Sequence, residues 1–152
     1  MKVAVVGSSS ITDEKLVVDF IKECHEWNNH YDKLISGGAK GVDTIAEKFA
    51  NDNKIRTVIF KPCYEKYGEQ APLIRNSDII SKADKCIIIW DGYSECTAND
   101  IELCDQMRKT SKIFALGFFD GVHLGHQALL RECVTLARQL GCETAAITFD
   151  RH

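Results

Sequence analysis

The sequence predicts an α/β protein built on an open, doubly wound parallel sheet, and three observations predict it. Short β-branched apolar runs recur along the chain, each is followed by a glycine-rich or polar break, and each break leads into apolar residues at helical spacing. Strands alternating with amphipathic helices form βαβ units with right-handed crossovers. A run as continuous as Val3-Ala4-Val5-Val6 reads as a strand covered on both faces, as in a parallel sheet flanked by helices.

The first strand covers 2–6 and is broken by Gly7-Ser8-Ser9-Ser10. Thr12 or Asp13 can cap the next helix, in which Leu16, Val17, Phe20, Ile21 and Cys24 share a face and which should end near 27–29. A strand at 33–36, a glycine-rich turn and a helix at 42–51 come next, then a strand at 57–60, an irregular loop and a helix at 71–82. They are followed by a strand at 85–90, a loop at 91–96, a helix from about 97 to 107 and a strand at 112–116. A helix at 125–140 and a strand at 144–149 end the pattern as a βαβ-type extension. Ligands of such sheets sit outside the carboxyl ends of the strands, where every motif below falls.

At 152 residues, 45% hydrophobic and 27% charged, the chain can bury one sizeable core with a small appendage. The net charge of −3, with no block of like charges, argues against an extended nucleic-acid surface, so an anionic ligand must be held locally. The apolar run before Gly7 is too short for a signal-peptide core, and the longest strongly apolar stretch, 86–90, is far below a membrane span. The seven cysteines are odd in number, lack CxxC spacing and mostly sit inside apolar patterns, which is reduced, cytoplasmic usage. Cys96 and Cys104 have no paired histidine at ligand spacing, so no metal site is expected.

Two loops have the makings of phosphate cradles. In the first, the strand Leu34-Ile35-Ser36 runs into Gly37-Gly38-Ala39-Lys40-Gly41-Val42-Asp43 and a helix, so backbone N–H groups and a helix N-terminus converge. Gly7-Ser8 would form the neighbouring wall, and Asp43 can cap the helix or accept a ribose hydroxyl. The same glycines also suit a plain strand-to-helix turn, and the spacing matches neither a Walker loop nor GxGxxG. Arg75 and Asn76 read equally as helix-surface groups, and Trp27, Phe60 and Trp90 as core or rim.

The second loop, Gly117 to His126, opens the helix at 125–140 and adds two imidazoles, His123 and His126, three residues apart. Around a first helical turn they point to one side, where they can donate to phosphate oxygens that gain charge as pyrophosphate leaves. A metal pair or simple polar loop residues are the alternatives.

From Met1 to about Lys112 the chain resembles the SLOG superfamily of Rossmann-like nucleotide-binding proteins, in its small bacterial and phage branch. The carrying residues are VAVVGS, LISGGAKGVDTIAEKFA, Arg75-Asn76 in APLIRNSDII, KCIIIWDG and TANDIEL. The resemblance implies a nucleotide site lined by Gly7, Ser8, Gly37, Gly38, Gly41 and Asp43, with Arg75, Asn76 and Thr97 reaching in from later loops. It also implies homo-oligomeric assembly, for which no residue argues. One departure is Cys96, where the family usually has a glycine before the Thr. Some relatives hydrolyse nucleoside monophosphates, but their paired glutamate-centred motifs are missing here, which favours binding or sensing.

Residues 113–152 resemble the start of a bacterial FAD synthetase, the FMN adenylyltransferase module, on ALGFFDGVHLGHQALL and AAITFDRH. That resemblance implies adenylyl transfer from ATP, with Mg²⁺, onto FMN. His123 and His126 would bind the phosphates and stabilise the transition state, and Gly117, Phe119, Asp120, Gly121 and Gly125 would shape the loop. The later adenine- and flavin-binding segments are missing, so the chain is expected to be incomplete as this enzyme; a fragment of a working FAD synthetase is the alternative. The expected division is 1–112 and 113–152, without a linker, so that the strand near 112–116 serves both motifs and the following helix and strand dock on one sheet.

Overall fold

The computed structural model describes the backbone of residues 1–27, 31–117 and 143–148. The described strands are β1 (Lys2–Gly7), β2 (Lys33–Ser36), β3 (Arg56–Ile59), β4 (Lys85–Trp90), β5 (Thr110–Gly117) and β6 (Glu143–Thr148). Between them run α1 (Glu14–Trp27), α2 (Val42–Asp52), α3 (Tyr64–Tyr67), α4 (Ala71–Lys82) and α5 (Glu95–Gln106). The strands form one sheet of order β3-β2-β1-β4-β5-β6, with every pairing parallel. The fold is therefore the doubly wound, Rossmann-like α/β arrangement. Its strand order reverses between β1 and β4, which opens a crevice at their carboxyl ends.

Alternation along the strands divides the core into two layers. Val3, Val5, Leu34, Ile87, Ile89 and Phe114 face α1 and α2, where Phe114 stacks on Phe20 with ring centroids 4.2 Å apart. Ala4, Val6, Ile35, Ile88, Trp90 and Ile113 face α4 and α5. Each fully buried Val or Ile contributes roughly 1.5–3 kcal/mol. β5 pairs with β4 through six partners and with β6 through another six, so the expected 112/113 division falls inside a strand that belongs to the sheet on both sides.

Side chains set the helix ends, for α1 as the sequence reading expects and for α5 earlier than it expects. Asp13 Oδ1 accepts the Leu16 N–H at 3.0 Å and opens α1. α5 begins two residues before the expected 97, because Ser94 is its cap and accepts the Thr97 N–H at 3.3 Å. The expected irregular stretch after β3 contains α3 and a 3₁₀ turn, Gly68–Gln70, neither of which buries a residue, so no apolar period marked them. The helix expected at 125–140 lies outside the described residues. Among the described residues no helix is long and apolar enough to cross a membrane.

Candidate functional site

The crevice at the switch point holds a cavity of about 180 Å³ lined from four directions. Gly7 and Ser9 come from the end of β1, Ala39 and Asp43 from the glycine-rich loop and α2, Arg75 and Asn76 from α4, and Ser94, Cys96, Thr97 and Asp100 from α5 and its cap. Five of the residues expected at a site, Gly7, Asp43, Arg75, Asn76 and Thr97, thus meet on one cavity although they lie far apart in the chain. Cys96 is exposed and stands on the rim.

Asp43 organises the loop. Its Oδ2 accepts the Gly37 N–H at 3.0 Å and the Ala39 N–H at 3.3 Å, so two of the amides expected to hold a phosphate already hold a carboxylate. Arg75 braces the same turn, donating from Nη1 to the Gly37 carbonyl at 2.8 Å and from Nε to Asn76 Oδ1 at 2.9 Å. Burial pushes the Asp43 carboxyl up to about 6 against the pull of the Ala39 and Gly37 amides and of Arg75. Asp100 is pushed up to about 7, first by burial and then by the charge of Asp43, with Arg75 opposing.

The glycines and Ser8 serve this architecture mainly through close packing. A Cβ on Gly7 would lie 2.4 Å from the Ile89 carbonyl oxygen and 2.6 Å from Val42 Cγ2, so this position needs glycine for close strand–helix packing. Gly41 caps α2 at φ 80°, and a Cβ there would meet the Ser8 and Ser9 carbonyls at 2.8 Å. Gly37 and Gly38 are likewise closed in, by Arg75 and Asp43 and by Ile59. Ser8 is 1% exposed; its N–H donates to the Ile89 carbonyl at 3.0 Å, and its Oγ accepts the Asp91 N–H at 3.0 Å and lies 3.3 Å from Thr97 Oγ1. It ties β1 to the β4–α5 loop.

That loop is pinned by Asp91, whose Oδ1 accepts the Tyr93 and Ser94 N–H groups at 2.9 and 2.8 Å while Oδ2 accepts Ser10 Oγ–H at 2.5 Å. Trp90 is buried, with Nε1 donating to the Ser94 carbonyl at 3.1 Å, which makes it part of the wall; Phe60 packs against the same core layer. Asp100 was not expected at the site. A signal for it existed: it lies three residues after Thr97, which places both on one helical face.

Of the second loop, Gly117 ends β5; Phe119, Asp120, Gly121, His123, Gly125 and His126 lie outside the described residues. Among the described residues no group of three or more His, Cys, Asp and Glu is placed to hold a metal ion. A larger cavity, about 550 Å³, lies at the opposite, amino end of the sheet, lined by Tyr31, Asp32, Lys33, Asn53, Lys54, Ile55 and Arg56. It has greater volume but lacks the convergence of buried polar groups, so the switch-point cavity is the better candidate for recognition of a small ligand.

Residues 1–67 match the YspA, cpYpsA-related SLOG family, and residues 105–152 match the FAD synthetase family. The C-terminal part is 52% identical over 48 residues to a bifunctional riboflavin kinase/FMN adenylyltransferase of Listeria monocytogenes and 41% identical over 44 residues to that of Bacillus subtilis. The matches cover 32% and 29% of this chain and only 15% and 14% of those relatives. In fold the chain is similar to DNA processing protein A from Streptococcus pneumoniae, with a TM-score of 0.68 and 20% identity over 95% of this chain and 58% of that one. It is also similar to DNA processing protein A from Helicobacter pylori, described by its single-stranded DNA binding mode, with a TM-score of 0.59 and 19% identity over 87% of this chain and 81% of that one.

These neighbours correct the expectation of no extended nucleic-acid surface. Net charge is a property of the whole chain, and a sheet of this kind can gather its cations on one edge without a block of them in sequence.

Proposed function

We propose that the chain binds a nucleotide in the switch-point cavity through a SLOG-type site and that its C-terminal segment carries the ATP-binding part of an FMN adenylyltransferase. The observation that carries the first part is the meeting of Asp43, Arg75, Asn76, Thr97 and Asp100 on one cavity at the carboxyl ends of β1 and β4. Ser8, Gly37, Gly38 and Gly41 would act there by holding the loop closed around Asp43, and Gly7 by letting the end of β1 pack closely at the cavity wall. Support for the second part is the FAD synthetase match over 105–152. His123 and His126 would bind the triphosphate of Mg·ATP, with FMN as acceptor substrate, in the loop bounded by Gly117, Phe119, Asp120, Gly121 and Gly125. Because the matched span is a small share of the curated relatives, adenylyl transfer belongs to a longer or complemented polypeptide in this reading. The cysteine usage supports a cytoplasmic location.

Calorimetric titration of Mg·ATP into the full chain, into Arg75→Ala and into His123→Ala/His126→Ala tests the assignment. Loss of binding in Arg75→Ala alone places the nucleotide in the switch-point cavity, and loss in the histidine variant alone makes the second loop the working ATP site. Unchanged binding in both would defeat the proposal.

A second reading, a single-stranded nucleic acid lying along the amino edge of the sheet, is favoured by one observation. Lys2, Lys33 and Arg56 open β1, β2 and β3 in direct register, which lines three cations across adjacent strands. The single-stranded DNA binding mode described for the Helicobacter pylori neighbour supports it.

A further inference from the structure

The hydrogen-bonding inventory of the switch-point cavity is unbalanced. Asp100 is 5% exposed, lines the cavity, and its Oδ1 is fully buried with no hydrogen-bond partner. A buried carboxylate oxygen without a donor costs about 1–3 kcal/mol or more, so an oxygen left this way in a cavity wall is placed for a donor that arrives from outside. Several donors nearby are committed elsewhere. Arg75 gives Nη1 to the Gly37 carbonyl and Nε to Asn76, and the Gly37 and Ala39 amides are taken by Asp43. The Thr97 hydroxyl points to Ser94 Oγ at 3.1 Å.

Asp100 Oδ1 is thus an acceptor that none of the described donors reaches, on a residue that lines the cavity. The cavity's occupant must bring hydrogen-bond donors. An ammonium group would do so, but Arg75 on the same wall disfavours a second cation; neutral hydroxyl groups meet both conditions. At about 180 Å³ the cavity is also below the roughly 300–1,000 Å³ of a whole-ligand site, so it takes one moiety of a larger molecule.

We propose that Asp100, with Asp43 on the same cavity, receives the ribose hydroxyls of the bound nucleotide, so that the site selects ribonucleotides over deoxyribonucleotides. The inference rests on the nucleotide-binding reading above and adds the moiety that the cavity recognises. The phosphate then lies outside this cavity, toward the crevice mouth. Hydrogen bonds from a neutral donor to a carboxylate are among the stronger ones, so loss of the hydroxyls should weaken binding about tenfold or more.

The test compares AMP with its 2′,3′-dideoxy analogue by calorimetry, using the full chain with His123→Ala/His126→Ala so that the second loop does not contribute. Expected are a preference of about tenfold or more for AMP and its collapse to about twofold or less in Asp100→Ala. Equal binding of the two ligands by the unsubstituted cavity would overturn the inference while leaving the nucleotide reading intact, and this arm needs no substitution in the cavity. A preference that persists in folded Asp100→Ala would also overturn it. Failure of both ligands to bind would overturn the nucleotide reading and this inference with it.

Discussion

Asp43 and Asp100 decide the chemistry of the cavity because both are buried carboxyl groups near one guanidinium. Their proton affinities in the folded chain, raised to about 6 and about 7 chiefly by burial, lie above the usual carboxylate range. A carboxyl whose folded value is raised stabilises the fold while protonated, below its unfolded value near 4, and that stability is lost as the pH rises through 6 to 7. Asp100→Asn removes this titration while keeping the shape. The variant should therefore gain on the wild type as the pH rises from 5 to 8, by at least about 1 kcal/mol in denaturant unfolding. Parallel pH profiles for the two proteins would show that Asp100 is ionised and satisfied. Both groups show what the sequence conceals at this scale. Asp43 was legible because it follows a glycine-rich turn, but nothing local reveals that it fills that turn, where its carboxylate accepts the Gly37 and Ala39 amides while Arg75 from a distant helix holds the Gly37 carbonyl.

Among the elements, the strands were the most legible, because burial on both faces leaves an unbroken apolar run such as 86–89 in β4. Helix starts were less so. Ser94 caps α5 inside a polar stretch that has no apolar period to mark it, and α3 buries nothing. β5 carries the larger consequence. Ile113 and Phe114 are each 3% exposed and sit in opposite core layers, so the strand is structural cement for the N-terminal part as well as the lead-in to the second loop. A chain ending at Lys112 would lose both and would expose the edge of β4. It should be destabilised by about 3–5 kcal/mol for the aromatic ring alone, whereas a chain ending at Gly117 keeps both residues. Urea midpoints separate the cases; equal midpoints for the Lys112 and Gly117 forms would mean that β5 contributes nothing to the N-terminal fold.

For the whole molecule, a parallel sheet gives its two ends different electrostatics. The carboxyl end gathers helix N-termini and the polar cavity, while the amino end gathers the first residues of the strands, here Lys2, Lys33, Arg56 and Lys85. Like charges on directly paired residues repel, so the Lys2–Lys33–Arg56 row pays a standing cost that a linear anion would relieve. Asp32 offsets part of it beside Lys33 while its carboxylate also pairs with the terminal amine of Met1, and the Asp84 carboxylate accepts the Lys2 backbone N–H at 2.8 Å. Lys54, with φ 55°, is the third cation of the cavity, beside Lys33 and Arg56. With strands about 4.8 Å apart the row spans roughly two phosphates of an extended strand. Binding should therefore be sequence-independent, weak and steeply salt-dependent. For two neutralised phosphates on a single strand the slope of log K against log salt is about −1.4. Fluorescence anisotropy of a labelled single-stranded oligonucleotide between 50 and 200 mM NaCl, ranges in which such slopes are resolved, reads it directly. Lys33→Gln/Lys54→Gln/Arg56→Gln should flatten the slope and weaken binding, with nucleotide binding at the carboxyl end unchanged. If the triple variant binds the oligonucleotide as the wild type does, the amino edge is not the nucleic-acid surface; if binding is lost only in Arg75→Ala, the strand enters the switch-point crevice instead.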